Sequence, residues 1–460
     1  MGIRDRSTLA AAGSVALLAA GVRLPRALTD SFWQDEVASA RILREPSFGG
    51  MLRHVARTES TPPLWYALAW LAHRAGLSIH DARLLSVAFG AVLAALVVLV
   101  ARRLLPPAAA TLAGVLVAVG GSFAWHGHEL RAYELFALVT VVFAFALHAA
   151  ARRPTGWRLA GLAAATAAGA MTHYFFAFTI LAGLLWLWVE RELRHGRLRA
   201  TAAVALGLAI CLPWTPSFLR QYRHDGYWWI GPFRPRLVAA TPLRLFTPLF
   251  SHGPAAGVAT AVTLLALAAG AGLLWRRGAR GRLCAILAVV PLVLAGGAWL
   301  AGMNVYAVRN MIGTGAFAAI AFAACMAALP RPVRTAATVA AACAVVAGFA
   351  WDQRVPAPPY EELAHALVAE GWQPSDRVVV FGGPYSYRSP LRWYLPHERE
   401  AADTRSNDAV FAIGKVRLRR THDGHVVDSL RVGGFTVDRF QLAEPVRRDR
   451  VLRRGTVLIV

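Results

Sequence analysis

Three carboxylates follow the first apolar stretch of the chain. Asp35 and Glu36 lie in WQDE (33–36), beside Trp33, and Glu59 opens ESTPPLWY (59–66). Further on, HELRAY (128–133) supplies His128, Glu129, Arg131 and Tyr133, with His126 just ahead of it. THYF (172–175) adds His173 and Tyr174, and the stretch Tyr306–Arg309 adds a phenol and a guanidinium. Such a set can do three things. A carboxylate of suitable pKa moves a proton at a hydroxyl, carboxylates and imidazoles can hold a divalent cation, and a guanidinium grips phosphate without losing its charge. Plainer roles are open to the same residues. Asp35 and Glu36 precede an amphipathic stretch, Val37–Arg44, and either could cap it. Glu59 could be a surface acid at a helix start, the histidines could lie at a membrane interface, and Arg309 could snorkel from the start of a span.

The elements that must position these residues are apolar. Of the 460 residues, 57% are hydrophobic and 16% are charged, a balance expected of a polytopic membrane protein. About 11 runs approach the ~20 residues that span a bilayer. They are expected near 7–24, 83–101, 108–124, 132–150, 157–172, 174–189, 200–218, 254–275, 283–301, 309–329 and 334–351. The first resembles a secretory signal, but no small-x-small cleavage site follows it, so it reads as an uncleaved span. Cys211, Cys284, Cys325 and Cys343 all fall inside apolar runs, which supports neither a disulfide framework nor a thiolate metal site. The net charge of +23 invites a nucleic-acid reading. Its placement speaks against one, because arginine clusters between apolar runs are the pattern that sets helix orientation.

Leu64–Ala72 is apolar but too short to span, and reads as a helix lying in the interface. With the N-terminus inside and this segment not crossing, Arg102-Arg103, Arg152-Arg153, Arg191–Arg199, Arg276–Arg282 and Arg331-Arg334 all fall on the cytoplasmic side. The outer face then receives a first loop of about 24–82, together with Trp125–Arg131, Met171–His173, 219–253, Gly302–Val308 and the tail. The candidate residues thus gather at one face, and ionisable groups at a membrane boundary mark a substrate path. The loop 219–253, with Tyr222, Tyr227, Trp228 and Trp229, could cap a lipid groove or form an aromatic belt. Residues 1–351 are expected to form the membrane domain. Residues 352–460 are expected to form an extracytoplasmic mixed α/β domain, with a helix at Tyr360–Glu370 and strands at Arg377–Phe381, Ala409–Ile413 and Val457–Val460. FGGP (381–384) is too short a fingerprint for a phosphate loop and reads as a packing turn.

WQDE, ESTPPLWY and HELRAY, in this order, resemble the GT-C-fold membrane glycosyltransferases, the group containing protein O-mannosyltransferases and lipid A aminoarabinose transferases. The resemblance covers most of residues 1–330. It implies a mainly α, polytopic bundle and an inverting transfer of a sugar, with mannose the suggested one, from a polyprenyl-phosphate donor to a lipid, glycan or protein acceptor. The reaction would take place at the outer face of the cytoplasmic membrane. The first-loop Asp35 would be the catalytic acid/base group, with Glu36 as a helper, and Glu129 would join them in the catalytic set, helping with Glu59 to place a divalent cation or the sugar. Glu59, His173 and His128 would be the candidates for a divalent metal cation. Arg131, Tyr133, Arg309, Tyr306 and Trp33 would hold donor phosphate and sugar. No nucleotide cofactor and no nucleic-acid partner are expected, since the donor and the surroundings are membrane lipids. One departure matters: related sequences often place Lys or His before Pro-Pro, and Thr61 stands here. The competing reading is a non-enzymatic transporter or flippase of a polyprenyl-linked glycolipid. A transporter would hide its polar groups near the midplane, whereas here they gather at one face.

Overall fold

The computed structural model describes residues 6–223, 230–251, 253–354, 359–369, 377–380, 391, 393–395, 409–414, 424–432 and 435–442. The chain divides into two compact units, Met1–Leu28 with Ala40–Arg354, and Thr29–Ser39 with Val355–Val460. Thr29–Ser39, expected as part of the membrane body's first loop, therefore groups with the tail.

The first unit is helical. It begins with α1 (Arg6–Thr29), takes the last four residues of α2 (Gln34–Leu43), and continues through α3 (Phe48–Thr58), α4 (Leu64–Arg74), α5 (Leu84–Ala101), α6 (Pro107–Val119) and α7 (Gly121–His126). Then come α8 (Tyr133–Arg152), α9 (Gly156–Ala170), α10 (Phe176–Val189), α11 (Arg194–Ile210) and α12 (Thr215–Arg223). The unit closes with α13 (Pro235–Phe246), α14 (Ala256–Trp275), α15 (Gly278–Leu300), α16 (Ile312–Ala328) and α17 (Arg331–Arg354). Helix α16 packs against α6, α8, α14 and α15. Its run from Ile312 to Ala321 is buried and mostly Ala and Gly, which lets neighbouring backbones come close. At Gly270 of α14 a Cβ would collide with the Ala321 carbonyl of α16. Large apolar side chains such as Leu17, Val142, Leu185, Leu265 and Val293 face outward, as they would towards lipid.

Among the described residues, eight helices are long and apolar enough to cross a membrane: α1, α5 with the turn before it, α8, the α11–α12 run, and α14 to α17. The sequence led to an expectation of about 11. The runs near 108–124, 157–172 and 174–189 become helices of 13, 15 and 14 residues. At a rise of 1.5 Å per residue these are about 20–23 Å long, short of a ~30 Å hydrocarbon core. Extended backbone at Gly120 ends α6 early, and the Met171–Phe175 turn shortens the other two. Leu64–Ala72 lies in α4, 11 residues long and below spanning length, with Trp65, Tyr66 and Ala69 buried.

Among the described residues the second unit holds the first six residues of α2, α18 (Tyr360–Ala369) and four strands: β1 (Arg377–Val380), β2 (Ala409–Gly414), β3 (Gly424–Val432) and β4 (Phe435–Leu442). The sheet order is β1-β2-β4-β3, with β1 parallel to β2 and the other pairs antiparallel. Strands β3 and β4 were not expected. FGGP, Val457–Val460, Tyr227, Trp228 and Trp229 lie outside the described residues.

Candidate active site

In the first unit the loop between α7 and α8 is pinned by the start of α5. Ser86, in the first turn of α5, donates its hydroxyl to the Glu129 carbonyl at 2.7 Å and lies 3.2 Å from the Arg131 carbonyl. Leu130 is fully buried and anchors the loop from its middle. The end of the first loop is tied to the third by the Leu64 amide, which donates to the Met171 carbonyl at 2.8 Å. Three remote segments are thus fixed in one place.

Arg131 Nη1 reaches Glu59 Oε2 at 3.2 Å, Glu59 Oε1 at 3.4 Å and the Tyr66 hydroxyl at 3.1 Å. Thr61 joins the same group, its hydroxyl 3.2 Å from that of Tyr66. Burial pushes the Tyr66 phenol well above its usual value, so it stays neutral. A guanidinium balanced by a carboxylate is how a buried charge is tolerated, so one role of Glu59 is to hold Arg131.

Glu129 is the more exposed to chemistry in its bonding, though not in its surface. It is 1% exposed. Its Oε2 lies 2.8 Å from His126 Nδ1, while the buried Oε1 has no hydrogen-bond partner among the described residues. Burial by itself would raise this carboxyl, but the charge and hydrogen bond of His126 and the fields of His128 and Arg309 outweigh it. The group is held below the usual value and stays ionised. The His126 ring packs 4.6 Å from that of Tyr133, and the Arg309 guanidinium sits over Tyr133 at 5.9 Å.

His173 lies beside this group, stacked on Phe136 at 4.7 Å. Its Nδ1 accepts the Phe175 amide at 3.2 Å, which places the proton of the neutral ring on Nε2. Burial, then the charges of Arg131 and Arg309, drive its pKa down to about 3. His173 is therefore a neutral hydrogen-bond donor.

Glu59, Glu129, Arg131, Tyr133, His173 and Arg309 are brought together. Two expected members are turned elsewhere. His128 uses Nδ1 on the Ala124 carbonyl at 3.1 Å. Tyr306 shares a hydrogen bond of 2.7 Å with Thr241 and stacks on Trp299 at 5.2 Å, with burial raising its pKa to about 12. Asp35, Glu36 and Trp33 belong to the second unit. There Glu36, 2% exposed, accepts the Trp33 amide at 3.3 Å across the start of α2, the reciprocal bond of a capping box. Among the described residues no three His, Cys, Asp or Glu side chains gather as a metal ion would need. Glu59, His128 and His173 do not form a ligand set, so no step below runs through a metal.

One pair escaped the sequence reading. Arg23 of α1 and Glu134 of α8, both fully buried, meet at 3.5 Å beside the loop between α7 and α8. Arg23 also donates to the carbonyls of Ala19, Ala118 and Val117 at 2.9, 2.7 and 3.2 Å. A Cβ at Gly127, inside the loop, would collide with the Arg23 side chain, so a glycine is required there. A basic residue near the end of an apolar run and an acid four residues after Leu130 are the signals that pointed to it.

Residues 60–216, a third of the chain, match the family model described as dolichyl-phosphate-mannose-protein mannosyltransferase. The match takes in Thr61, Glu129, Arg131, Tyr133 and His173. The apo crystal structure of ArnT from Cupriavidus metallidurans superposes with a TM-score of 0.58 at 12% identity, covering 93% of this chain and 96% of that one. The membrane body has the GT-C fold. ArnT bound to undecaprenyl phosphate gives a TM-score of 0.44 at 14% identity, over 94% of this chain and 97% of that one. The Archaeoglobus fulgidus oligosaccharyltransferase in its apo form gives 0.48 at 13%, over 80% of this chain and 59% of that one. Comparison with curated proteins gave no match. The fold is the one that WQDE, ESTPPLWY and HELRAY led us to expect.

Proposed function

We propose that this chain is an inverting glycosyltransferase that moves a sugar from a polyprenyl-phosphate donor to an acceptor hydroxyl at the outer face of the cytoplasmic membrane. The observation that carries the reading is Glu129, a buried, ionised carboxylate with an unpartnered oxygen beside Arg309 and a neutral histidine. A carboxylate in that state accepts hydrogen bonds from sugar hydroxyls and favours the positive charge that develops at the anomeric carbon.

In the proposed reaction Asp35 takes the acceptor's hydroxyl proton as that oxygen attacks the anomeric carbon. The bond from carbon to the phosphate oxygen breaks on the opposite side, its electron pair leaves with the polyprenyl phosphate, and the anomeric configuration inverts. Arg309 meets the growing phosphate charge, assisted by the Nε2–H of His173. Arg131, committed through Nη1 to Glu59, holds the floor of the site and is the second phosphate ligand. Glu36 serves Asp35 by fixing the first turn of α2, and Trp33 is assigned to the sugar. Mannose is the first sugar to test, from the description of the matched family. The test follows radiolabel from polyprenyl-phosphate sugars incubated with the purified chain. Release of labelled sugar from the lipid supports transfer; an intact donor with every sugar and acceptor tried, alongside movement of that lipid across vesicles, would mean transport instead.

A further inference from the structure

At the far end of the same helices lies a second polar site. Helix α8 carries Tyr133 at one end and His148 about four turns on, so the two sites are roughly 22 Å apart along it. There α5, α8, α15 and α16 border a shallow, open cleft lined by Val141, Ala144, Phe145, Leu283 and Phe317, with Arg103 and Arg280 at its rim. His148, 9% exposed, lines it and has no hydrogen-bond partner among the described residues, only a ring contact with Trp186 at 6.0 Å.

The charge around this cleft is uncompensated. Among the described residues no carboxylate lies within ion-pair distance of Arg103, Arg152 or Arg280. Glu190, whose field reaches His148, is bound to Arg282 at 2.6 Å. The Arg103 guanidinium rests over Phe145 at 4.9 Å, and burial with the like charge of Arg280 pulls its pKa below the usual value. Arg103 is half-buried and Arg280 is exposed. Here they border an apolar hollow with a buried imidazole inside it. We propose that this cleft binds an anionic diacyl phospholipid, its phosphate held between Arg103 and Arg280 and one acyl chain against the exposed ring of Phe145. Basic pockets between membrane helices bind such headgroups, and the apolar wall adds what a free anion cannot use.

Binding is read by native mass spectrometry and by thermal unfolding of the full chain in detergent, with phosphatidylglycerol, phosphatidylcholine or inorganic phosphate added. Phosphatidylglycerol should stay bound and raise the unfolding temperature, while phosphatidylcholine and inorganic phosphate should not. The double variant Arg103→Gln/Arg280→Gln should weaken phosphatidylglycerol binding at least tenfold, and Arg103→Lys/Arg280→Lys should keep much of it. Ala144→Leu, which fills the cleft and leaves the charges, should also weaken it. Equal stabilisation by phosphatidylcholine, full stabilisation by inorganic phosphate, or unchanged binding in both Arg103→Gln/Arg280→Gln and Ala144→Leu would overturn the proposal.

Discussion

Removing Arg23 should damage the protein far more than removing its partner. At 3.5 Å and an effective dielectric near 20, two unit charges attract by about 5 kcal/mol. Arg23→Met leaves the Glu134 carboxylate and the carbonyls of Ala19, Ala118 and Val117 without their donor. Breaking one side of a buried pair in this way costs about 3–5 kcal/mol. Glu134→Gln keeps an acceptor, and Arg23 keeps its three carbonyls, so the cost should fall to about 1–2 kcal/mol. The double variant Arg23→Met/Glu134→Gln should be more stable than Arg23→Met alone, with a coupling of about 2 kcal/mol between the two single changes. The assay is denaturant-induced unfolding in detergent micelles, followed by tryptophan fluorescence. Equal costs for the two single changes, or a coupling below about 0.5 kcal/mol, would refute the reasoning. Because Arg23 also fills the space beside Gly127, Arg23→Met should displace the loop between α7 and α8 and lower donor turnover as well.

Glu129→Gln should lower turnover about 100-fold or more, in the range of lost electrostatic stabilisation, with little change in the unfolding midpoint; near-normal turnover would remove the residue from the site. Arg309→Gln should weaken donor use and Arg309→Lys should restore part of it, read as kcat/KM against the polyprenyl-phosphate sugar. For His173, the folded pKa of about 3 lies below the ordinary histidine value. Between the two the unfolded chain holds the extra proton, so its contribution to stability is whole above about 6.5 and is lost as pH falls towards 3, by up to about 1.4 kcal/mol per pH unit. His173→Phe should flatten that acid limb of the stability profile.

That ESTPPLWY and HELRAY come together was legible because polar residues between apolar runs have few places to go. Glu129, Arg131 and His173 were legible for that reason, and α4 because His73 and Arg74 cut its apolar run short. Pairing was not legible. Nothing in ESTPP says that Glu59 will be taken by Arg131, or that Thr61 will share its hydroxyl with Tyr66, since these contacts join residues 65 to 72 positions apart or depend on how α4 turns. Tyr306 looked like a ligand but faces Thr241 and Trp299, because an aromatic beside an outer turn packs as readily as it binds. Strands β3 and β4 carried a signal that went unused: two β-rich runs around Gly433-Gly434, a hairpin pattern.

The central claim is sugar transfer from a lipid donor with a carboxylate as base, and Asp35 bears it. The direct measurement is single-turnover transfer from a labelled polyprenyl-phosphate sugar by wild type and Asp35→Asn, both purified and both shown to be folded. Transfer with inverted anomeric configuration by wild type, and loss of about 100-fold or more in the variant, is the predicted result. Wild-type transfer by Asp35→Asn, or no transfer by either, would contradict it.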